Sequence, residues 1–352
     1  MSNGLYPRIA DLAPWREYAL PRAPWDDADC HNPSILRVPD DAGDAHAGAW
    51  LCNIRATSYP AACSIAHHWP GHPRFKSHHE ADHLRARSRS HCSHTRNWLL
   101  TLDADRDWQP IDGREIAYAR GVRPPSCAYN YVGYEDLRLG WSPKDGLVAS
   151  GTTLLHNDRG AFEITCLELD AEGQIWRTTP LRGWWSDQCQ KNWSPILGLP
   201  SARWLHSPIG GGIVDKVGVG APEPRTFSPT LCGGTQLVPI RLSSDPDPDP
   251  VPVPVPDLSP SHFLGLAHGY DPLPDGGRHY WHRVFVVNAA GEGVARSPPF
   301  KLSEHDIDFA CGLAVDPREQ DRAVVTYGVG NTASRLAETS LSALLGLCGP
   351  SA

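Results

Sequence analysis

The chain has 352 residues, of which 40% are hydrophobic, so it is long enough to bury a core of ordinary size. Its formal net charge of −8 at pH 7 gives no electrostatic reason to expect nucleic acid or an anionic membrane as a partner. No run of about 18 apolar residues occurs, which argues against a membrane-spanning helix. Residues 1–15 lack a basic segment followed by an apolar one, so we expect no secretory leader and predict a cytoplasmic protein.

Short runs typical of β-strands recur along the chain, separated by Gly, Pro, Asn and Asp. In chain order the clearest runs are 49–55, 97–102, 146–155, 162–169, 234–242, 262–268, 280–288 and 323–327. Helical periodicity is nearly absent, and only 332–347 is expected to hold a short helix. Many short strands predict an all-β sandwich, barrel or propeller, among which periodicity alone does not choose.

Two segments have the composition of insertions. In residues 244–260 alternate prolines lack a backbone N–H, so we predict an extended surface loop rather than a central strand. Residues 60–95 hold eight of the 17 histidines beside several arginines. A metal site is one interpretation, but the spacing matches no known ligand pattern, so we predict a solvated loop and no metal ligand.

The cysteine and aromatic contents add two further expectations. None of the ten cysteines forms a CxxC pair, which argues against a zinc ribbon or a dithiol redox motif and favours reduced thiols. The 13 Trp and 10 Tyr outnumber the 7 Phe. Their flat apolar rings with a polar handle suit a pyranose ring, although the same side chains also fill the cores of β-proteins.

Polar and glycine-containing motifs lie near the predicted strands. In chain order they are Asn32-Pro33-Ser34, Arg55, 133–138 (GYEDLR), 191–195 (KNWSP), 204–208 (WLHSP), 216–222 (KVGVGAP), 264–269 (LGLAHG), 309–314 (FACGLA) and 326–331 (TYGVGN). In order and spacing this series resembles the β-mannoside phosphorylases, glycoside hydrolase family 130, and their mannosyltransferase relatives. The resemblance extends from Asn32 to Asn331 and leaves out the two insertions.

The resemblance implies a fold and a mechanism. The expected fold is one five-bladed β-propeller domain over residues 1–352, with the active site at one end of the central channel. Asp136 is implied to be the general acid of an inverting reaction, acting through a sugar hydroxyl. One carboxylate suffices in these enzymes because inorganic phosphate is the nucleophile, whereas an inverting hydrolase needs two.

The resemblance also implies the remaining site residues, one by one. The expected substrate contacts are Asn32, Arg55, Glu135, Arg138, Asn192 and Asn331. The expected phosphate contacts are Lys191, Lys216, His268 and Tyr280.

This chain departs from the family pattern at positions that the resemblance assigns to phosphate or substrate binding. Lys191 and Ser207 stand where the family has arginines, and Asn331 stands where it has an aspartate. A lysine keeps the charge but loses the bidentate fork, and a serine loses both. We expect Arg138 or Arg283 to compensate if phosphate binds.

The leading hypothesis is therefore a glycan-active enzyme that cleaves or transfers a mannoside-like unit. It needs no cofactor, with inorganic phosphate as the candidate co-substrate, and its partner is an oligosaccharide or sugar phosphate. The alternatives are a hydrolase or glycosyltransferase that does not use phosphate and a non-catalytic glycan-binding propeller. A hydrolase needs a second carboxylate, for which Glu135, Asp187, Asp306 and Asp308 are the candidates. Homo-oligomerisation is left open by the sequence.

Overall fold

The computed structural model describes residues 6–21, 29–43, 45–58, 93–122, 131–153, 156, 162–182, 190–208, 211–216, 231–241, 260–273, 277–319 and 321–349. Nearly all regular structure in this part is β-strand, and the one α-helix, α1 (Leu341–Gly346), follows the last strand. No helix in the described part has the length and apolar character needed to cross a membrane.

The strands form five antiparallel sheets, here called blades 1 to 5. The first strand, β1 (Arg16–Ala19), belongs to blade 5. Blade 1 contains β2 (Asp29–Arg37), β3 (Trp50–Ser58), β4 (Ser93–Asp103) and β5 (Gln109–Glu115), with β6 (Tyr131–Val132) parallel to β4. Blade 2 contains β7 (Glu135–Ser142), β8 (Gly146–Thr153), β9 (Glu163–Leu169) and β10 (Ile175–Pro180).

The remaining three blades follow in chain order. Blade 3 contains β11 (Ser194–Ile196), β12 (Arg203–Ser207) and β13 (Gly211–Asp215). Blade 4 contains β14 (Cys232–Gly233), β15 (Val238–Ile240), β16 (His262–Pro272), β17 (Arg278–Asn288) and β18 (Gly293–Arg296). Blade 5 contains β19 (Asp308–Val315), β20 (Arg322–Val329) and β21 (Ala333–Ser340), and β1 is its outermost strand.

Each blade buries both of its faces because alternate residues of a strand point in opposite directions. On β8, Leu147 and Ala149 pack against blade 1, whereas Val148 packs against blade 3. On β16, Leu264 packs toward blade 5 and Phe263 toward blade 3. Within the described residues one apolar cluster lies between each pair of successive blades, including blades 5 and 1.

Five blades joined through five apolar seams form a five-bladed β-propeller, as the sequence predicts. The ring closes within blade 5, where Arg16 to Ala19 of the first strand pair with Glu338 to Arg335 of the last. Closure therefore depends on hydrogen bonds between the two ends of the described chain, and it removes one exposed strand edge.

One predicted strand is much shorter in the structure. Of the run 234–242 only Val238–Ile240 (β15) is a strand, because Gly234 and Thr235 both donate to the carbonyl of Leu266 and interrupt the ladder between β14 and β15. The segment 332–347 contains the expected short helix, α1, at its end, and it also contains the strand β21, which pairs with β20 from Arg322 to Val329. The insertions 60–95 and 244–260 lie outside the described residues, apart from 93–95 in β4 and Pro260.

A candidate active site at one end of the propeller

The same unusual backbone conformation occurs near the start of β2, near the start of β7 and just before β11. Asn32, Asp136 and Asn192 have φ values of 50°, 50° and 63°, in the left-handed region that Asn and Asp tolerate better than other non-glycine residues. The pairing is interrupted at the first two positions, between His31 and Ser34 and between Glu135 and Arg138. Such strained positions concentrate at functional sites. The end of the propeller where β7 begins is called the site end below.

Asp136 is the centre of this arrangement. Its Oδ1 atom accepts a hydrogen bond from Nδ2 of Asn32 at 2.8 Å and lies 2.7 Å from Nη1 of Arg55. Burial opposes ionisation, but the charges of Arg55 and Arg138 and the hydrogen bond from Asn32 outweigh it and hold the pKa of Asp136 well below its usual range. Asp136 is therefore a carboxylate that accepts hydrogen bonds, as from the hydroxyls of a sugar.

Glu135 contacts the guanidinium of Arg55, as its neighbour Asp136 does. Its Oε1 lies 3.4 Å from Nη2 of Arg55, and its Oε2 lies 3.6 Å from Nζ of Lys191. Consecutive residues of a regular strand point to opposite faces, so the left-handed turn at Asp136 is what brings both carboxylates to Arg55. The site end thus holds two adjacent carboxylates and two cations.

Arg138 lies beneath this group and is buried. Its guanidinium donates to the carbonyl oxygens of Gly234 and Asp136 at 2.5 and 3.0 Å and to Oδ1 of Asn192 at 3.2 Å. Its Cζ lies 5.6 Å from the ring centre of Phe309. These contacts join blades 2 to 5 around the axis, so the described contacts of Arg138 are structural, and its contact with substrate stays a prediction.

Gln236 lies near the axis of the propeller, where its side chain contacts the strands β2, β7 and β19. Its Nε2 lies 2.7 Å from the carbonyl oxygen of Ile35 and 2.9 Å from both Ser34 Oγ and the carbonyl oxygen of Leu139. Its Oε1 accepts the N–H of Leu313 at 3.0 Å. This fully buried amide connects blade 4 to blades 1, 2 and 5, so a ligand reaches Asp136 from the site end.

His268 and Tyr280 of blade 4 and Phe309 of blade 5 form a cluster of rings, here called the aromatic wall. The His268 ring packs edge-on against Phe309 with centroids 4.5 Å apart and stacks on Tyr280 at 5.8 Å. Burial, and secondarily the nearby His282 and Arg138, lower the pKa of His268 well below its usual value. His268 is consequently a neutral imidazole at physiological pH, able to donate one hydrogen bond but contributing no charge.

The predicted phosphate residues do not all come together. Lys191 lies beside Glu135, and His268 and Tyr280 lie in the aromatic wall. Lys216, in contrast, contacts Asp145 at 2.9 Å and Glu168 at 2.7 Å. Asp145 lies in the turn after β7, whose last residue, Ser142, is about 20 Å along the strand from Asp136 at roughly 3.3 Å per residue. The prediction that Lys216 joins the phosphate site is therefore wrong on geometry.

Asn331 lies at the site end, and its contact with substrate stays a prediction. It lies in the turn between β20 and β21 with φ 58°. Gly328, near the end of β20, has no room for a side chain, since a Cβ there would clash with Oδ1 of Asn32. This close approach brings the turn next to the Asn32 entry of blade 1.

The candidates for a second carboxylate are separated by the structure. Glu135 is beside Asp136, whereas Oδ1 of Asp306 lies 2.7 Å from Nδ1 of His279. Asp308 accepts the N–H of Ser303 at 2.8 Å, and burial raises its pKa to about 6 against that hydrogen bond. Asp187 lies outside the described residues. Glu135 is thus the candidate that shares the guanidinium of Arg55 with Asp136.

Arg278 and Tyr270 are not among the site residues expected from the sequence. Arg283 was expected to compensate for a missing arginine. Arg283 donates to the carbonyl of Ser297 at 2.6 Å and lies over Trp281, on the face of β17 opposite to Tyr280. Arg278, on the same face as Tyr280, donates to its hydroxyl at 3.1 Å. The alternation of residues along 278–288 is the signal that distinguishes the two arginines.

Solved structures share this fold at low sequence identity. A mannose phosphorylase from Leishmania mexicana in complex with phosphate ion aligns with a TM-score of 0.52 and 14% identity over 96% of this chain and 92% of that one. A GDP-Man-dependent mannosyltransferase from the same organism gives 0.51 and 11% over 92% and 89%. The β-1,2-mannobiose phosphorylase of Listeria innocua gives 0.52 and 14% over 95% and 99%.

These likenesses support the propeller fold. No family model matches the chain, and no curated protein sequence matches it.

Proposed function

We propose that this protein is a carbohydrate-active enzyme that cleaves or transfers a mannoside-like unit by an inverting mechanism, with inorganic phosphate as the preferred nucleophile. The observation that carries the proposal is the Asp136 carboxylate, held by Arg55 and Asn32 at the site end, with Lys191 and an aromatic wall close by. The mannoside phosphorylases among the structural neighbours support the choice of substrate class.

The residues divide the work by their chemistry. Asn32, Asp136 and Asn192 supply acceptors and donors for sugar hydroxyls, and Asn331 adds another at the rim. Phe309 and Tyr280 offer apolar faces to a pyranose ring. Arg55 and Lys191 supply positive charge for the incoming phosphate and for the charge that develops on its oxygens.

Cleavage requires a proton on the glycosidic oxygen, and Asp136 is the proposed source, acting through a sugar hydroxyl. In the free protein Arg55 and Arg138 keep Asp136 ionised. A bound phosphate anion shares those cations and adds a like charge, which raises the pKa of Asp136. Phosphate binding and protonation of Asp136 are therefore linked, and the phosphate oxygen attacks the anomeric carbon as the protonated leaving oxygen departs.

A second candidate is a propeller that binds glycans without catalysis. It is favoured by the ionised Asp136 and neutral His268, which suit hydrogen bonding to hydroxyls more than proton donation. It is also favoured by Ser207, where the resembled family has an arginine.

The deciding experiment incubates the purified protein with a panel of β-linked mannobioses, with and without phosphate, and with mannose 1-phosphate plus mannose. Chromatography of the products checks the reaction. We expect phosphate-dependent release of mannose 1-phosphate and a loss of at least about 100-fold in Asp136→Asn, as general acids contribute that much. Turnover that Asp136→Asn leaves unchanged contradicts the mechanism. Binding of mannobiose without any turnover supports the second candidate.

A further inference from the structure

The carboxylate of Glu135 lies between the two cations of the site end to which the proposed function assigns phosphate. Its Oε1 is 3.4 Å from Nη2 of Arg55, and its Oε2 is 3.6 Å from Nζ of Lys191. The side chain of Glu135 is 17% exposed, so this bridge lies at the boundary between the buried site and the solvent. Each carboxylate oxygen thus faces a different cation.

This bridge has the arrangement of a bound anion. Guanidinium and ammonium groups bind carboxylates and phosphates with the same N–H donors. The two oxygens of Glu135 occupy the space between Arg55 and Lys191 that an anion held by both cations would use. Glu135 and a phosphate therefore compete for the same position.

Glu135 is held less tightly than its neighbour Asp136. The Oδ1 of Asp136 accepts a hydrogen bond from Nδ2 of Asn32 at 2.8 Å and lies 2.7 Å from Nη1 of Arg55. The two contacts of Glu135 are longer than a charge-assisted hydrogen bond, which measures roughly 2.7 to 2.9 Å. An incoming anion consequently displaces Glu135 more readily than Asp136.

Lys191 has a second support that does not depend on Glu135. Its Nζ lies 3.9 Å from the ring centre of Phe162, within the range of a cation–π interaction. The side chain of Lys191 is 29% exposed, whereas that of Arg55 is 5% exposed. An anion that arrives from the solvent therefore meets a lysine that Phe162 keeps in place after Glu135 moves away.

The formal charges of these four groups make the exchange necessary for tight binding. Glu135 and Asp136 bring two negative charges at pH 7, and Arg55 and Lys191 bring two positive ones. A phosphate that joins them while Glu135 stays in contact adds further negative charge beside two carboxylates. Movement of Glu135 away from the two cations removes the nearest part of that repulsion.

We infer that Glu135 is an internal counter-ion, which occupies the phosphate position between Arg55 and Lys191 in the free protein and sets the affinity for phosphate by competing with it. The inference rests on the proposed function and gives Glu135 a role besides that of a sugar contact. The competing ligand is a phosphate oxyanion, either inorganic phosphate or the phosphate of a glycosyl phosphate.

The test measures binding to the full-length protein by calorimetry, with inorganic phosphate, mannose 1-phosphate and a β-linked mannobiose in three separate arms. Glu135→Gln keeps the size of the side chain and removes its charge. Glu168→Gln is the matched control, because Glu168 belongs to the same blade and contacts a different lysine, Lys216, at 2.7 Å. Circular dichroism verifies that each variant is folded.

We expect Glu135→Gln to bind phosphate about 10-fold more tightly, because a like charge next to the anion has been removed. A purely structural role predicts no such gain. Adding Lys191→Met to Glu135→Gln should remove most of the gain, and Glu168→Gln should stay within about two-fold of wild type, since its charge is distant and screened. A gain in both phosphate arms identifies one shared position, and a gain in a single arm identifies which phosphate competes with Glu135.

The inference is overturned if Glu135→Gln leaves phosphate binding unchanged or weakens it, or if neither the wild type nor Glu135→Gln binds phosphate. Weaker mannobiose binding with unchanged phosphate binding would show that Glu135 is a sugar contact only. Phosphate binding that is detected in Glu135→Gln and not in the wild type supports the inference. The proposed function fails separately, if phosphate binds with the expected pattern but the wild-type protein converts no mannoside.

Discussion

Nη1 of Arg55 lies 2.7 Å from Oδ1 of Asp136, across the seam between blades 1 and 2. The Arg55 side chain is 5% exposed and that of Asp136 is 16% exposed, so the pair is shielded from most of the solvent. The same guanidinium contacts Glu135. Arg55 thus helps to keep Asp136 ionised and also contacts Glu135, at the point where the reaction is proposed to occur.

The first prediction concerns this pair. Arg55→Met should reduce the free energy of unfolding by about 3 kcal/mol, because it leaves a buried charge without its partner. Adding Asp136→Asn should recover at least about 1 kcal/mol, since the carboxylate that lost its partner is then neutral. Urea unfolding of the two single variants and the double variant measures the coupling. Strictly additive effects would contradict the assignment.

The second prediction concerns Asp308, whose pKa is raised to about 6 from an ordinary 3.8 by burial. The folded protein binds a proton there that the unfolded chain has already released, so this group weakens stability as pH rises from about 4 to about 6. Asp308→Asn removes that loss and keeps an acceptor for the N–H of Ser303. Relative to wild type, the variant should gain up to about 3 kcal/mol between pH 4 and pH 7.

Thermal or urea unfolding at several pH values checks the Asp308 prediction. Ser303→Ala is the second variant: it keeps the backbone N–H that bonds to Asp308 but removes the side-chain hydrogen bond that lowers the pKa of Asp308, so the loss of stability should extend to higher pH. A variant whose stability relative to wild type does not change with pH would show that Asp308 is ionised in the folded protein.

The third prediction concerns the amide of Gln236 on the axis. Gln236→Leu should reduce stability by about 3 to 5 kcal/mol, because it leaves buried carbonyl and N–H groups of three other blades unsatisfied. Gln174→Leu is the control, since the partly buried Gln174 makes a single hydrogen bond to the carbonyl of Glu115 near the outer edges of blades 1 and 2. Equal effects of the two variants in urea unfolding would show that the axis is not held by Gln236.

The fourth prediction separates Lys216 from Lys191. Lys216→Met should lower stability by about 1 to 3 kcal/mol, since Asp145 and Glu168 lose a shared cation. It should leave phosphate binding unchanged because Lys216 lies at the far end of blade 2. Lys191→Met should do the reverse and weaken phosphate binding about 10-fold. Calorimetry with phosphate, together with urea unfolding, distinguishes the two; weakened phosphate binding in Lys216→Met would reverse our correction.

Much of the fold was predictable because it depends on local patterns. Runs such as 262–268 and 280–288 alternate in a way that buries both faces, and they are β16 and β17 in the structure. The number of blades was implied by the family resemblance of the ordered motifs from Asn32 to Asn331. The short helix expected within 332–347 is α1, whereas the strand β21 before it was not predicted, because it depends on pairing with β20.

The site was predictable only in part. The resemblance of the ordered motifs implied that Asn32, Asp136 and Asn192 belong to one site, and the structure brings Asn32 and Asp136 into contact. The period of two separates Tyr280 from Arg283, which lie on opposite faces of β17.

Only the tertiary structure decided which blade each face meets. Arg55 and Asp136 are 81 positions apart along the chain and meet because blades 1 and 2 pack side by side. Packing of blade 5 on blade 1 brings Gly328 against Asn32, and packing of blade 3 on blade 2 places Lys216 beside Asp145, away from Asp136. The direction in which a strand runs across the ring is set by long-range packing, and this direction determines which end of the propeller a charged side chain reaches.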